Sequence, residues 1–179
     1  MNQKTFIAIV FLCVALLCLS NTVRADTRTV ETTFFIPASP ERVLRSFVDE
    51  EDLQGWWKVS RTLVEEQSGG VWSVVWDDYG VDKTQHTWVG VVEELSPRRL
   101  LVSHLVMIEP GRPLYGPLQL EVTVTPAPGG SSLTVLHHGY QNGHEWDWIH
   151  DTVVRGWNHV LTDMQNWFQD GASVPEHRH

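Results

Sequence analysis

Polar and apolar positions along this chain change period three times, and each change marks an element. Thr27 to Ile36 is rich in Thr and Phe and reads as a strand, closed by Pro37-Ala38-Ser39-Pro40, a cluster with turn chemistry. Ser39 then suits a helix N-cap and Pro40 the first helical position, while Val43, Leu44 and Phe47 recur at the spacing of one buried face. The acidic run Asp49-Glu50-Glu51-Asp52 opens a second short helix toward Leu53 and Trp56-Trp57.

From Val59 to Gly139 the period falls to two, interrupted by Gly69-Gly70, Asp77-Asp78-Tyr79-Gly80, Ser96-Pro97 and Pro126 to Gly130, which describes an antiparallel meander. Strands are expected near residues 63, 73, 89, 102, 121 and 135. The clearest runs from Leu118 to Thr125, with Leu and Val alternating against polar residues. Ile149, Val153, Gly156, Trp157, Val160, Leu161, Met164, Trp167 and Phe168 then fall on one helical stripe, with Asp151, Arg155, Asn158 and Thr162 opposite, and the helix is expected to end at Gly171. About 25 helical residues span roughly 37 Å, enough to cross a whole sheet. The order predicts an α+β domain in which a seven-stranded curved antiparallel sheet wraps on a long C-terminal helix, with two short helices after the first strand. Where sheet and helix separate, a cavity for an apolar ligand is expected.

The N-terminus adds a compartment. Lys4, an apolar run from Phe6 to Leu19 and then Val23-Arg24-Ala25 read as a secretory signal, residues 1–25, too short for a comfortable membrane span of about 20 residues. The expectation is a secreted or periplasmic protein with a domain over 26–171, a loose tail over 172–179 and no membrane segment after cleavage. Both cysteines, Cys13 and Cys18, fall in the signal, so the domain's stability rests on its core. Lys4 and Arg24 also lie there, which reduces the 13 basic residues to 11 against 22 acidic ones. With no basic cluster, nucleic acid and anionic membranes are poor partners.

Several segments together resemble a known family. Ile36-Pro37-Ala38-Ser39-Pro40-Glu41-Arg42-Val43 with Phe47-Val48-Asp49 and Trp56-Trp57, then Gly69-Gly70-Val71-Trp72, Gly90 to Leu100, Leu133 to Tyr140, and Gly156-Trp157 with Leu161 are similar in order to the START-like, or SRPBCC, superfamily. The branch is the one resembling the activator of the ninety-kilodalton heat-shock protein ATPase. The resemblance implies a helix-grip fold with an internal hydrophobic pocket. It leaves function open, because members include carriers, cyclases, hydrolases and regulatory modules. The leading expectation is an exported, non-enzymatic binder or carrier of a small lipophilic molecule. The alternatives are a cyclase- or hydrolase-type enzyme using a pocket histidine, and a protein-interaction module resembling the chaperone activator, with no protein partner identified.

Nine tryptophans in so short a chain sharpen the pocket reading. Its expected lining is Trp57, Trp72, Trp76, Trp88, His104, Tyr115, Tyr140, Trp157 and Leu161, with Tyr140, Trp146 and Trp148 at the entrance. His104, mid-strand on an apolar segment with Tyr115 or Glu109 across the cavity mouth, is the first catalytic candidate, and His138 the second. A lone strand histidine is more often a satisfied core or edge residue, so no catalytic assignment follows. His144, Asp147 and Asp151 stand at i, i+3 and i+7, one helical face with metal-binding side chains. The HExxH arrangement is absent and no Cys assists. Solvated residues at a helix start explain the three as well, and no metal or cofactor is expected.

Overall fold

The structure is a computed structural model and describes residues 27–79 and 83–171. The segments read as signal (1–25) and tail (172–179), and Gly80 of a predicted turn, lie outside the described residues. In chain order the elements are β1 (Arg28–Ile36), α1 (Pro40–Arg45), α2 (Glu50–Trp56), β2 (Arg61–Val64), β3 (Val71–Tyr79), β4 (Thr84–Ser96), β5 (Arg99–Ile108), β6 (Tyr115–Ala127), β7 (Gly130–Tyr140) and α3 (His144–Gln169). The strands form one antiparallel sheet ordered β1-β7-β6-β5-β4-β3-β2, in which β2 to β7 are a meander and β1 returns to pair with β7. This is the predicted architecture, with all seven strands at their expected places.

Local chemistry sets the elements as the sequence implies. Ser39 caps α1 by accepting from the Arg42 N–H, and Asp49 caps α2 by accepting from the Asp52 N–H. On β6, Leu118, Leu120, Val122 and Val124 are buried, and on β3 Trp72, Val74 and Trp76. Helix α3 covers this face with Ile149, Val153, Trp157, Leu161 and Met164. It also protects the edge strand β1, since the Gln165 side-chain amide donates to the Phe35 carbonyl at 2.8 Å.

Indole N–H groups brace the α1–α2 segment, one within it and two from the sheet. Trp56 donates to the Ser46 carbonyl at 2.9 Å, Trp72 to that of Phe47 at 3.0 Å and Trp76 to that of Trp57 at 3.1 Å. Each such bond satisfies a donor that burial would otherwise leave costly. At Gly55 the Trp167 ring lies so close that an added Cβ would sit 2.8 Å from its Nε1, so glycine is what lets α3 approach α2.

One irregularity decides what faces the helix. Strict alternation from buried Val102 would turn His104 inward. Instead His104 has φ 51°, the register with both neighbouring strands shifts around it, and its side chain is exposed. The extra residue of this β-bulge moves the inward set to Leu105 and Met107, and Glu109 follows in phase.

Candidate functional site

A pocket of about 110 Å³ opens between the middle of α3 and the β3–β5 part of the sheet. The sheet contributes Trp76 from β3, His86 and Trp88 from β4, and Met107 and Glu109 from β5 and the residue after it. The helix contributes Ile149, Thr152, Val153, Gly156, Trp157 and Val160, and Trp57, the C-cap of α2, closes one wall. Thr152, Gly156 and Val160 lie one turn apart on α3 and are half-buried, so the pocket opens along that row.

Register brings these side chains together. Trp76 pairs with His86 and Val74 with Trp88 across β3 and β4, while Trp88 pairs with Met107 across β4 and β5. Trp57, Trp76 and Trp88 meet as a corner: their planes cross at 72°, 86° and 74°, with centroids 5.2, 5.6 and 5.6 Å apart. Trp157 extends it, 5.1 Å from Trp57 and 6.0 Å from Trp88. The Trp157 indole N–H is buried with no acceptor among the described residues. A donor left so costs about 1–3 kcal/mol, relieved when a water or ligand oxygen reaches it.

The polar edge is His86 with Glu109. His86 Nδ1 is bonded to the Glu109 carboxylate and its Nε2 lies 3.1 Å from the Thr84 hydroxyl, with side-chain exposures of 18% and 12% for the pair. Both ring nitrogens are thus engaged, one by a carboxylate and one by a hydroxyl.

Four of the nine residues expected in the pocket line it: Trp57, Trp76, Trp88 and Trp157. Trp72 is fully buried under the α1–α2 connection, where its N–H is spent on Phe47, and Leu161 is core further along α3. His104 is turned out by its own bulge and touches Ser103 Oγ at 3.2 Å. His138 faces away from the helix, where its Nδ1 meets the Thr29 hydroxyl at 2.9 Å. Neither histidine reaches the pocket.

Tyr115 and Tyr140 belong to a second aromatic cluster at the start of α3. Tyr115 packs edge-on against Trp146 and bonds Glu145 at 3.3 Å, and Arg112 lies 3.5 Å over the Trp148 ring while pairing with Glu145 at 2.9 Å. Burial, then the Glu145 charge, raises the Tyr115 pKa. The residues expected at the entrance are therefore packed together, and the opening lies at Gly156. Tyr140 is fully buried and meets His137 Nδ1 at 2.9 Å. Burial raises the Tyr140 pKa well above its ordinary value and lowers that of His137 to about 3.

The helical face considered for a metal is occupied otherwise. His144 is 96% exposed, Asp147 pairs with Arg28 at 2.8 Å, and Asp151 meets its neighbour His150 at 3.3 Å. Missed from the sequence were His86, Met107, Thr152 and the place of Glu109. His86 had a legible signal, its i, i+2 relation to Trp88.

Gly156 is the odd residue of the helix wall, since a glycine there costs stability and an added Cβ would meet nothing within 4 Å. Gly156→Ala is expected to stabilise the chain by about 1 kcal/mol in urea unfolding, the ordinary glycine-to-alanine difference inside a helix.

A family model described as Activator of Hsp90 ATPase homolog 1-like protein matches residues 37–169. Among solved structures, protein CV1439 from Chromobacterium violaceum is similar with a TM-score of 0.63 at 20% identity, over 79% of this chain and 96% of that one. Protein NE0264 from Nitrosomonas europaea gives 0.64 at 17%, over 81% and 97%. DynU16, a putative protein in the dynemicin biosynthetic locus, gives 0.63 at 17%, over 80% and 48%. At these identities the likeness is one of fold. No curated protein matches the sequence.

Proposed function

We propose, from the premise that this chain belongs to the family of activator of Hsp90 ATPase homolog 1-like proteins, that it binds a small, largely apolar molecule in its tryptophan-lined pocket. The observation that carries this reading is the pocket itself: four indoles and an aliphatic helix face enclose it, and one polar pair stands at its edge. Its size limits the ligand. At about 110 Å³ it is of the order of the ~150 Å³ cavity that holds a benzene ring, and well below the ~300–1,000 Å³ of pockets for drug-sized molecules. A single small ring or a short branched alkyl group suits it; a steroid or a diacyl lipid does not.

Binding without turnover fits the polar edge better than catalysis does. His86 has both ring nitrogens engaged at rest, which suits a fixed recognition group more than a base waiting for a proton. The apolar run Phe6 to Leu19 with Lys4 before it supports a carrier or sensor role outside the cytoplasm.

Native mass spectrometry of the chain purified from its own host tests both points. A mass beginning at Asp26 with a released small molecule is the expected result. An empty chain that also fails to quench its tryptophan fluorescence with any small ring compound overturns the binding reading, and a retained Met1 overturns cleavage of the signal. Gly156→Leu supplies a second check. Its side chain projects from the open row of α3, and it is expected to lower ligand affinity about tenfold or more by obstructing the mouth, as steric loss of a well-placed contact does.

A further inference from the structure

The pocket joins two features that a purely apolar binder does not need. Trp57, Trp76 and Trp88 present three steeply crossed ring planes whose centroids all lie within 6 Å of one another. An indole face is electron-rich, and a cation within about 6 Å of a ring centroid is attracted to it, more strongly once water is excluded. A corner of crossed rings offers several such faces to one compact group. The second feature is Glu109, the one carboxylate among the lining residues, which include no Lys or Arg. Its partner is His86, bonded through Nδ1, and both side chains are largely shielded from solvent. A carboxylate so shielded attracts a cation more strongly than one in open water.

We infer that the ligand of this pocket is a small organic cation, an alkylated ammonium whose methyl groups enter the corner of Trp57, Trp76 and Trp88 and whose charge lies toward Glu109. The inference rests on the ligand-binding reading and names the chemical class it would take. Three further properties agree with it. A methylated ammonium head is about the size of a benzene ring, which suits a pocket of about 110 Å³. Its charge is spread over its methyl groups, so it leaves water for an aromatic wall more cheaply than a primary amine does. The whole chain carries a formal charge of −9, which raises the local concentration of cations and speeds their arrival.

The test separates charge from shape. Choline and its uncharged isostere 3,3-dimethylbutan-1-ol have nearly the same outline, and both are titrated into the full chain with tryptophan fluorescence as the readout. Choline is expected to bind about tenfold tighter or more, the scale of a desolvated cation–π contact. Glu109→Gln is expected to shrink that preference about tenfold through loss of the charge. Equal affinity for the two compounds overturns the cation inference and leaves the ligand-binding reading standing, as does binding of the alcohol alone. Failure of both compounds overturns the cation inference as well, and native mass spectrometry then decides the broader reading independently. The comparison of the two compounds on the unmutated chain stands even where Glu109→Gln fails to fold.

Discussion

Arg42→Ala is expected to destabilise the fold by about 3–5 kcal/mol, the cost of leaving a buried carboxylate without its partner. Asp52, on α2, is 3% exposed, and the Arg42 guanidinium on α1 holds both of its oxygens, Nη2 reaching Oδ1 at 2.9 Å and Nη1 bonding Oδ2. The same guanidinium lies 5.3 Å from the Trp167 ring centroid and 5.1 Å from that of Phe168, both on α3. One side chain thus joins all three helices, and its loss removes a charge pair and two ring contacts together. The planar fork is essential, so Arg42→Lys is expected to restore only part of the stability. For a domain of this size a loss of that magnitude lowers Tm by roughly 10 °C. Arg42→Ala/Asp52→Ala is expected to cost much less than the sum of the two single changes, because neither charge is then stranded. A loss below about 1 kcal/mol for Arg42→Ala in urea unfolding would place the pair with ordinary surface salt bridges and refute this account.

The second large effect is a loss of stability with falling pH, centred on His137. The imidazole is fully buried, and burial followed by the charge of His138 lowers its pKa from 6.5 to about 3. Between those values the folded chain keeps a neutral ring while the unfolded chain takes up a proton. Stability from this residue is therefore complete above about pH 6.5 and declines as the pH falls toward 3, at about 1.4 kcal/mol per unit. From pH 7.5 to pH 5 the expected loss is about 2 kcal/mol. Changing His137 alone would strand the Tyr140 hydroxyl that contacts its Nδ1 at 2.9 Å. The informative variant is therefore His137→Leu/Tyr140→Phe, which removes both partners. Urea unfolding at the two pH values should show the loss in the natural chain reduced by about 2 kcal/mol in the double variant. Equal losses in both would mean that His137 is protonated in the folded state.

Both effects concern residues whose importance the sequence alone understates. Arg42 and Asp52 are ten apart among other charges, and nothing local distinguishes them from a solvated pair. His137 and His138 look alike in sequence, and the alternation of β7, with Leu133 and Val135 buried, sends His137 into the core and His138 to the opposite face.

Much of the architecture is a direct consequence of the sequence. Period-two alternation forces strands with one buried face, Ser39-Pro40 and Asp49 start helices through hydrogen bonds made within three residues, and the stripe from Ile149 to Phe168 requires a sheet to cover. These are short-range effects, and they also make Trp57, Trp76, Trp88 and Trp157 legible as members of one interior. The site's polar edge is different. His86 and Glu109 are 23 residues apart and meet only because β4 and β5 pair in a particular register. Glu109 faces inward only because the bulge at His104 adds one residue to its strand, the same change that removes His104 from the pocket. Alternation is a property of neighbours and is written in the sequence, whereas a bulge is a compromise between paired strands and a curved sheet, settled when the strands pack together. Neighbours along the chain set the tryptophan walls of the pocket, and the pairing of β4 with β5 set where its carboxylate stands.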